Sequence, residues 1–385
     1  MTAGLAAAEV QAFRQRFAGG VILPGDAAYD EARQVWNALH DRYPAIVVRP
    51  MANADVVTAI RFAREQALPL VVRGGAHSAP GHSTCDDGLV LDLRHLNRVE
   101  VDPATRRARV GGGALLAQLD AAAQEHGLVC PIGVIGHTGV GGLTLGGGMG
   151  RLMRRFGLTI DNLRAVELVT AAGDLVHASA TEHPDLFWGI RGAGTQFGAV
   201  TEFEFELQPF DGDLVRGIRM WHARHAPEVW DAFARHAVDG SDDLGMTFGL
   251  ARGVPEDDYP EAIAGKPIVY LAFGHCDPAN AERDLGSLQE LPEPAFQTLG
   301  PVRYVDIQTA NDEATPFGKR SYLDSQFSHG LTAPVLSRLA DHVAEAPGEA
   351  GFGVSMFGGA VARVDDDATA FPSRTTLFDM SADAG

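Results

Sequence analysis

The sequence predicts an α+β protein of two domains, and three observations carry that reading. At 385 residues the chain is longer than one ordinary hydrophobic core supports. Its glycines are clustered, at 111–113, 139–150 and 189–198, all in the first half. The second half instead alternates long strands with amphipathic helices, and the two textures meet at the turn-forming stretch Pro209–Gly212. A first domain over residues 1–210 and a second over 211–385 are therefore expected.

In chain order, the segment MTAGLAAAEVQAFRQRF predicts an amphipathic helix, without the basic start and apolar run of a secretory leader. A helix follows over Tyr29–Leu39, from the spacing of Ala32, Val35, Trp36 and Leu39. Strands at Ala45–Val48 and Leu68–Val72 flank a helix ending at Gln66 whose buried face is Val56, Val57, Ile60 and Phe62. Further strands are expected at Leu89–Leu93, Val99–Val101 and Arg106–Val110, then a helix over Ala114–His126 stopped by Gly127. Val166–Thr170 and Leu175–Ala178 read as a hairpin around Ala172-Gly173-Asp174, and Pro184–Ile190 as a short helix. In the strand Ala199–Leu207, Val200, Glu202, Glu204 and Glu206 share one face, and Ala199, Phe203 and Phe205 the other. Beyond the boundary, strands are expected at Leu214–Trp221, Gly245–Ala251, Pro267–Phe273 and Gly353–Phe357. The helices there are Ala226–Ala237, Ala279–Leu288 and Pro334–Ala344.

Composition narrows the function. A net charge of −19 argues against nucleic acid or anionic membrane as partner. Cys85, Cys130 and Cys276 share no metal-ligand spacing and form no disulfide framework, so three free thiols, no metal and a cytoplasmic location are expected. No run of about 20 apolar residues suggests a membrane span.

The chemistry concentrates in two glycine-rich loops. In VVRGGAHSAPGHSTCDDGLVLDL (Val71–Leu93), an apolar run breaks at Gly74 and Gly75 and delivers His77 at the tip of a turn. Taken alone, His77 reads more readily as a turn histidine bonded to backbone than as a functional residue. Neither a G-x-G-x-x-G fingerprint nor a P-loop occurs, yet the loops 73–81 and 138–150 both offer runs of N–H groups suited to a pyrophosphate.

Together with TGVGGLTLGGGMGRLMRRFGLTIDNL and DLFWGIRGAGTQFGAVTEFEFEL, this stretch resembles the signatures of the FAD-linked oxidases of the vanillyl-alcohol oxidase superfamily. More narrowly it is similar to their berberine-bridge-enzyme-like branch. The likeness is dense from Tyr29 to Pro209 and thinner to Arg374. It implies a PCMH-type FAD-binding domain followed by an antiparallel-sheet substrate domain, an FAD-dependent oxidase of a small molecule, and oxygen as electron acceptor. It also implies that His77 bonds covalently to the flavin, a neutral imidazole being a competent nucleophile. Val72, Arg73, Gly74, Gly75, Ala76 and Ser78 match the loop around the pyrophosphate. Thr138, Gly139, Gly142, Leu143, Gly146 and Gly147 match the segment passing the flavin. Gly157, Asp161 and Asn162 match a turn supporting the cofactor, and Gly198 and Val200 the strand beside the adenine.

Departures from the family pattern matter too. Ala76 replaces a third glycine, and its methyl suits only a negative φ. Ile135 stands where some relatives carry a second, cysteinyl link to the flavin, so no such link is expected here. Gln196 replaces an asparagine. Relatives continue beyond the motif TAFPSR (Thr369–Arg374) into a tail carrying a tyrosine base, whereas this chain stops at Gly385. Either the sequence is truncated or its catalytic base lies elsewhere, with His137, Tyr304 and Tyr322 the candidates and His137 alternatively only bonding its own loop. Without the tail, TTLFDM is expected to leave an unpaired sheet edge. A dehydrogenase with another acceptor, and a redox-neutral cyclase or binding protein, are the rival readings; peroxide yield separates the first from an oxidase.

Overall fold

The computed structural model describes residues 5–253, 260–346 and 350–385. The first four residues of the expected N-terminal helix lie outside that range; the helix itself runs Ala7–Arg16 and buries Val10 and Phe13. Among the described residues no helix is long and apolar enough to cross a membrane.

Three sheets organise the chain. The first has the order Gly20–Ile22, Ile46–Arg49, Leu89–Asp92, Leu70–Arg73. Leu89–Asp92 runs parallel to both its neighbours, Ile46–Arg49 and the edge strand Leu70–Arg73. Parallel neighbours require a crossover, which the helix Asn53–Glu65 supplies, burying Val56, Ala59, Ile60 and Phe62. All four residues of Leu89–Asp92 are buried, the expected texture of a strand covered on both faces. The second sheet is antiparallel, in the order Val99–Asp102, Arg107–Gly111, Ala199–Glu206, Leu163–Val169, Leu175–Ser179. Phe203 and Phe205 point into its core and Glu202, Glu204 and Glu206 are only half-buried, as the alternation predicted. Val200, however, packs with the two phenylalanines and Ala199 in the first sheet's core, because a bulge between Val200 and Glu202 breaks the alternation there.

The third sheet has seven antiparallel strands, ordered Phe296–Arg303, Asp213–His222, Pro267–His275, Leu244–Arg252, Ala350–Met356, Phe378–Ala384, Tyr322–Ser328. Helices Ala226–Asp239 and Ala333–Glu345 cover one face, and Trp230, Phe233, Phe248 and Phe378 pack there ring against ring. The architecture is thus the expected mixture of helices and sheets. The strand foreseen at TTLFDM is no edge, however. Phe378–Ala384 bonds Ala350–Met356 on one side and Tyr322–Ser328 on the other, so the edges are Phe296–Arg303 and Tyr322–Ser328.

Two expected helices are shortened. The one at Tyr29 ends at Arg33, because the backbone N–H groups beyond it are taken by distant carbonyls. Trp36 N–H donates to Ala76 O at 3.0 Å and Ala38 N–H to Lys319 O at 2.9 Å, bonds a helix would forbid. Ala279–Leu288 divides into a helical turn at Ala281–Asp284 and a 3₁₀ segment at Gly286–Glu290.

The C-terminal segment is pinned to the first half by a buried ion pair. Arg374, fully buried, donates to both carboxylate oxygens of Asp161, at 2.8 and 3.1 Å, and to Thr369 Oγ1 at 2.8 Å. Bidentate geometry is what makes a buried pair of this kind hold.

Candidate active site

A cavity of about 1010 Å³ opens between the first and second sheets. Its walls are backbone to an unusual degree. Gly74, Gly75, Ala76, His77 and Ser78 form one side, and Thr138, Gly139, Gly141 and Gly142 another. Gly198, Ala199 and Val200 close the far end with Ile60, Ala63 and Leu68.

The two loops cross glycine on glycine. A Cβ placed on Gly75 would lie 2.2 Å from the Gly139 nitrogen, and one on Gly139 would lie 2.2 Å from the Gly75 nitrogen. Only two residues without side chains can pass at that distance. Among the described residues, no protein acceptor takes the backbone N–H groups of the five consecutive residues Gly74–Ser78, nor those of Gly139, Gly141 and Gly142. A Cβ on Gly142 would meet nothing within 4 Å, since that position faces open space. Buried N–H groups are nearly always paired, so a concave run of free ones calls for an anionic ligand. The donor set fits the pyrophosphate of FAD, and the apolar far end fits an aromatic base.

His77 stands at the cavity wall in a group of four rings. Trp36 stacks on it with centroids 5.3 Å apart, Phe317 meets it edge-on at 5.5 Å, and His137 lies at 4.6 Å. His77 Nε2 and His137 Nδ1 are 2.6 Å apart, and His137 Nε2 is 3.3 Å from the carbonyl of Asp312. A carbonyl only accepts, so His137 carries its proton on Nε2 and accepts at Nδ1. His77 must then donate from Nε2. Its Nδ1 is left as a lone pair without a protein partner. Burial first, and the neighbouring His137 second, push the His77 pKa down to about 4, so the ring is neutral at ordinary pH.

Ala76 does not have the negative φ that its methyl suits. Its φ is +59°, in the left-handed region, held there by the bond from Trp36 to its carbonyl. That conformation costs a non-glycine residue about 1–2 kcal/mol. Ala76→Gly is expected to raise stability by up to about 1 kcal/mol, glycine's greater unfolded-state entropy offsetting the rest. An unchanged or lower midpoint in thermal melts would show that the residue carries no strain.

Several sequence-matched positions lie elsewhere. The Arg73 guanidinium turns away from the cavity, donating to Ser83 O at 3.0 Å and to the carbonyl of Ala32, and straps neighbouring loops together. Gly146 and Gly147 are outside the cavity lining, and a Cβ on Gly147 would strike the Phe371 ring. Gly157, Asp161 and Asn162 form a turn outside the cavity lining: Asp161 accepts from Leu158 N–H at 2.8 Å as well as from Arg374, and Asn162 donates to Phe156 O at 2.9 Å. Tyr304 is buried against Asp120, which raises its pKa further beyond what burial does. Tyr322 sits on a sheet edge, 67% exposed, and lines neither cavity. Cys130 is buried in the second sheet's core, where its thiol pKa is pushed well up.

A second cavity of about 650 Å³ lies over the open face of the seven-stranded sheet. Ile218, Met220, Thr247, Tyr270, Ser355 and Asp379 line it, with Met149–Arg151 from the glycine-rich loop. Asp379 is the only carboxylate among the described lining residues. Its carboxylate makes no hydrogen bond or ion pair among the described residues, and burial raises its pKa. Sequence reasoning missed it: TTLFDM was read as a strand, and no motif singles out the aspartate within it.

Comparison with known proteins points to the same cofactor. The FAD binding domain family matches residues 44–179. The (R)-6-hydroxynicotine oxidase of Paenarthrobacter nicotinovorans is 33% identical over 308 residues, covering 78% of this chain and 64% of its own length. The FAD-linked oxidoreductase YvdP of Bacillus subtilis is 31% identical over 374 residues, covering 94% of this chain and 80% of its own. Among solved structures, Physcomitrella patens BBE-like 1 superposes with a TM-score of 0.88 at 23% identity, over 98% of this chain and 83% of that one. The 6-hydroxy-D-nicotine oxidase of Arthrobacter nicotinovorans gives a TM-score of 0.80 at 26% identity, over 95% and 80%.

Proposed function

The chain belongs to the FAD-linked oxidoreductases, and from that membership we propose that it is of the berberine-bridge-enzyme-like branch of the vanillyl-alcohol oxidase superfamily and oxidises a small-molecule alcohol or amine with FAD joined covalently to His77. The observation that carries the proposal is the run of free N–H groups at Gly74–Ser78, which includes a histidine whose Nδ1 lone pair is free. Bound there, FAD would supply an electrophilic ring methyl for the linkage and a hydride acceptor for the reaction. The protein's part is proton management and orientation. His77 presents Nδ1 as nucleophile and holds its proton on Nε2 against His137 Nδ1, which is placed to take it once Nδ1 has bonded. Trp36 and Phe317 fix the ring plane.

No cysteine joins the cofactor in this reading: Ile135 stands at the second-link position, Cys130 is held as a thiol in the core, and burial pushes up the thiol of Cys85, which lines the cavity wall. Substrate occupies the cavity over the seven-stranded sheet, where Asp379 takes the proton from the carbon-bound hydroxyl or amine. Oxygen is the proposed final acceptor, and peroxide formed at one equivalent per turnover in air tests it. Three unpaired thiols support a cytoplasmic setting.

Acid precipitation tests the covalent link. Flavin is expected to stay with the protein and appear on the His77 peptide in a digest. His77→Ala should release all flavin on precipitation while still binding some reversibly, because the N–H cradle remains. Linkage should be insensitive to pH between about 5 and 8, since a nucleophile with a pKa near 4 stays neutral there. Complete release of flavin from the unaltered protein would refute the bond to His77.

A further inference from the structure

The substrate cavity is cationic in a chain of net charge −19. Four arginines, 151, 154, 216 and 252, stand in its lining against the single Asp379. Two of them are already employed. Arg154 donates to Gly240 O at 3.2 Å and to the carbonyl of Phe357, and Arg252 to the carbonyl of Ala344. The other two are not. Arg151 has only one long bond, to Ile307 O at 3.4 Å, and its Nε is buried without a partner. The guanidinium of Arg216, exposed at the edge of the cavity, has neither hydrogen bond nor ion pair among the described residues.

Each of these two charges disfavours the other. Burial first, and then Arg216, lower the Arg151 pKa to about 10. The sheet floor beside them is cleared of side chains. Arg216 pairs in register with Gly274, and Gly274 with Gly245. A Cβ on Gly274 would meet nothing within 4 Å, and Gly245 lies directly under the Arg151 backbone. Two guanidinium groups with no acid beside them, over a floor of glycine, leave room and charge for an anionic group. Beyond them the same face turns apolar, through Ile218, Ala272, Met220 and Tyr270.

Building on the oxidase reading, we propose that the substrate is a carboxylate: an apolar small molecule whose acid group is held between Arg151 and Arg216 while its oxidisable carbon lies toward Asp379. A guanidinium fork matches a carboxylate in plane and charge, and the pairing relieves the repulsion between the two arginines.

The test titrates the flavin-loaded enzyme with 3-phenylpropionate and with its neutral amide, 3-phenylpropionamide, by calorimetry and by the flavin difference spectrum. The acid is expected to bind at least about tenfold more tightly than the amide. Arg216→Gln, at an exposed position where folding is not at stake, should remove most of that preference and leave the amide unaffected. Arg151→Gln should do the same, and Arg151→Lys should keep part of it. Equal binding of acid and amide, failure of both to bind, or an acid preference that survives both glutamine variants would overturn the proposal. A protein purified without flavin colour would instead overturn the oxidase reading, and it shows before any ligand is added.

Discussion

Gly139→Ala is expected to give a protein that retains no flavin. The added Cβ would sit 2.2 Å from the Gly75 nitrogen, and the obstacle is backbone, which no rotamer change moves aside. The loops at 74–78 and 138–142 would have to separate, which opens the N–H cradle they jointly form. Overpacking of this kind costs about 1–3 kcal/mol of stability, and misplacing the donors weakens the cofactor contacts in addition. Gly75→Ala should behave alike. Gly142→Ala is the contrast, since its Cβ meets no protein atom and only intrudes on the ligand space. That variant should melt like the parent chain yet bind FAD more weakly. Visible absorbance and thermal melting of the three variants separate the two effects. A Gly139→Ala protein of normal colour would mean that the crossing is not what holds the cradle together.

Asp379→Asn should lower the rate of flavin reduction by substrate about 10²–10⁴-fold with flavin content unchanged, the usual range for loss of a general base. The residue is matched to that task by its setting. Burial raises its pKa, which strengthens it as a proton acceptor, and no neighbouring cation holds the proton away. The sign of the pH dependence follows. Activity should be lost as pH falls through that raised pKa, when the carboxyl becomes protonated before substrate arrives, and the acid limb should vanish in the asparagine variant. Stopped-flow reduction measured without oxygen reads both effects. If reduction in the variant proceeds at the parent rate, the base is elsewhere, with His137 the remaining candidate beside the flavin cavity.

The cofactor half of the site was largely legible in the chain. A turn that breaks an apolar run with Gly74 and Gly75, and a glycine-dense loop at 139–142, are local patterns, and the cavity is built from just those loops. The substrate half was not. Asp379 and Arg151 lie 228 positions apart by their numbering and meet in one cavity, which no spacing rule anticipates. Tyr322 shows the converse. Its chemistry suits a base, but the strand carrying it is a sheet edge that turns the ring to solvent.

Secondary structure divides in the same way. The strands Ala199–Glu206 and Leu89–Asp92 were readable because alternation or continuous burial writes itself into residue type. Phe296–Arg303 and Tyr322–Ser328 were not, because edge strands bury few side chains and so carry little pattern. The sequence by itself determined where the backbone must be bare and which histidine is presented there, since glycine's missing Cβ and a turn's torsions are properties of a few adjacent residues. Tertiary structure alone decided that Trp36 leaves its helix to stack on His77, that His137 takes the His77 proton side, and that unpaired arginines face Asp379's cavity. Each of those depends on groups brought together from distant parts of the chain, where packing and hydrogen-bond competition override local preference.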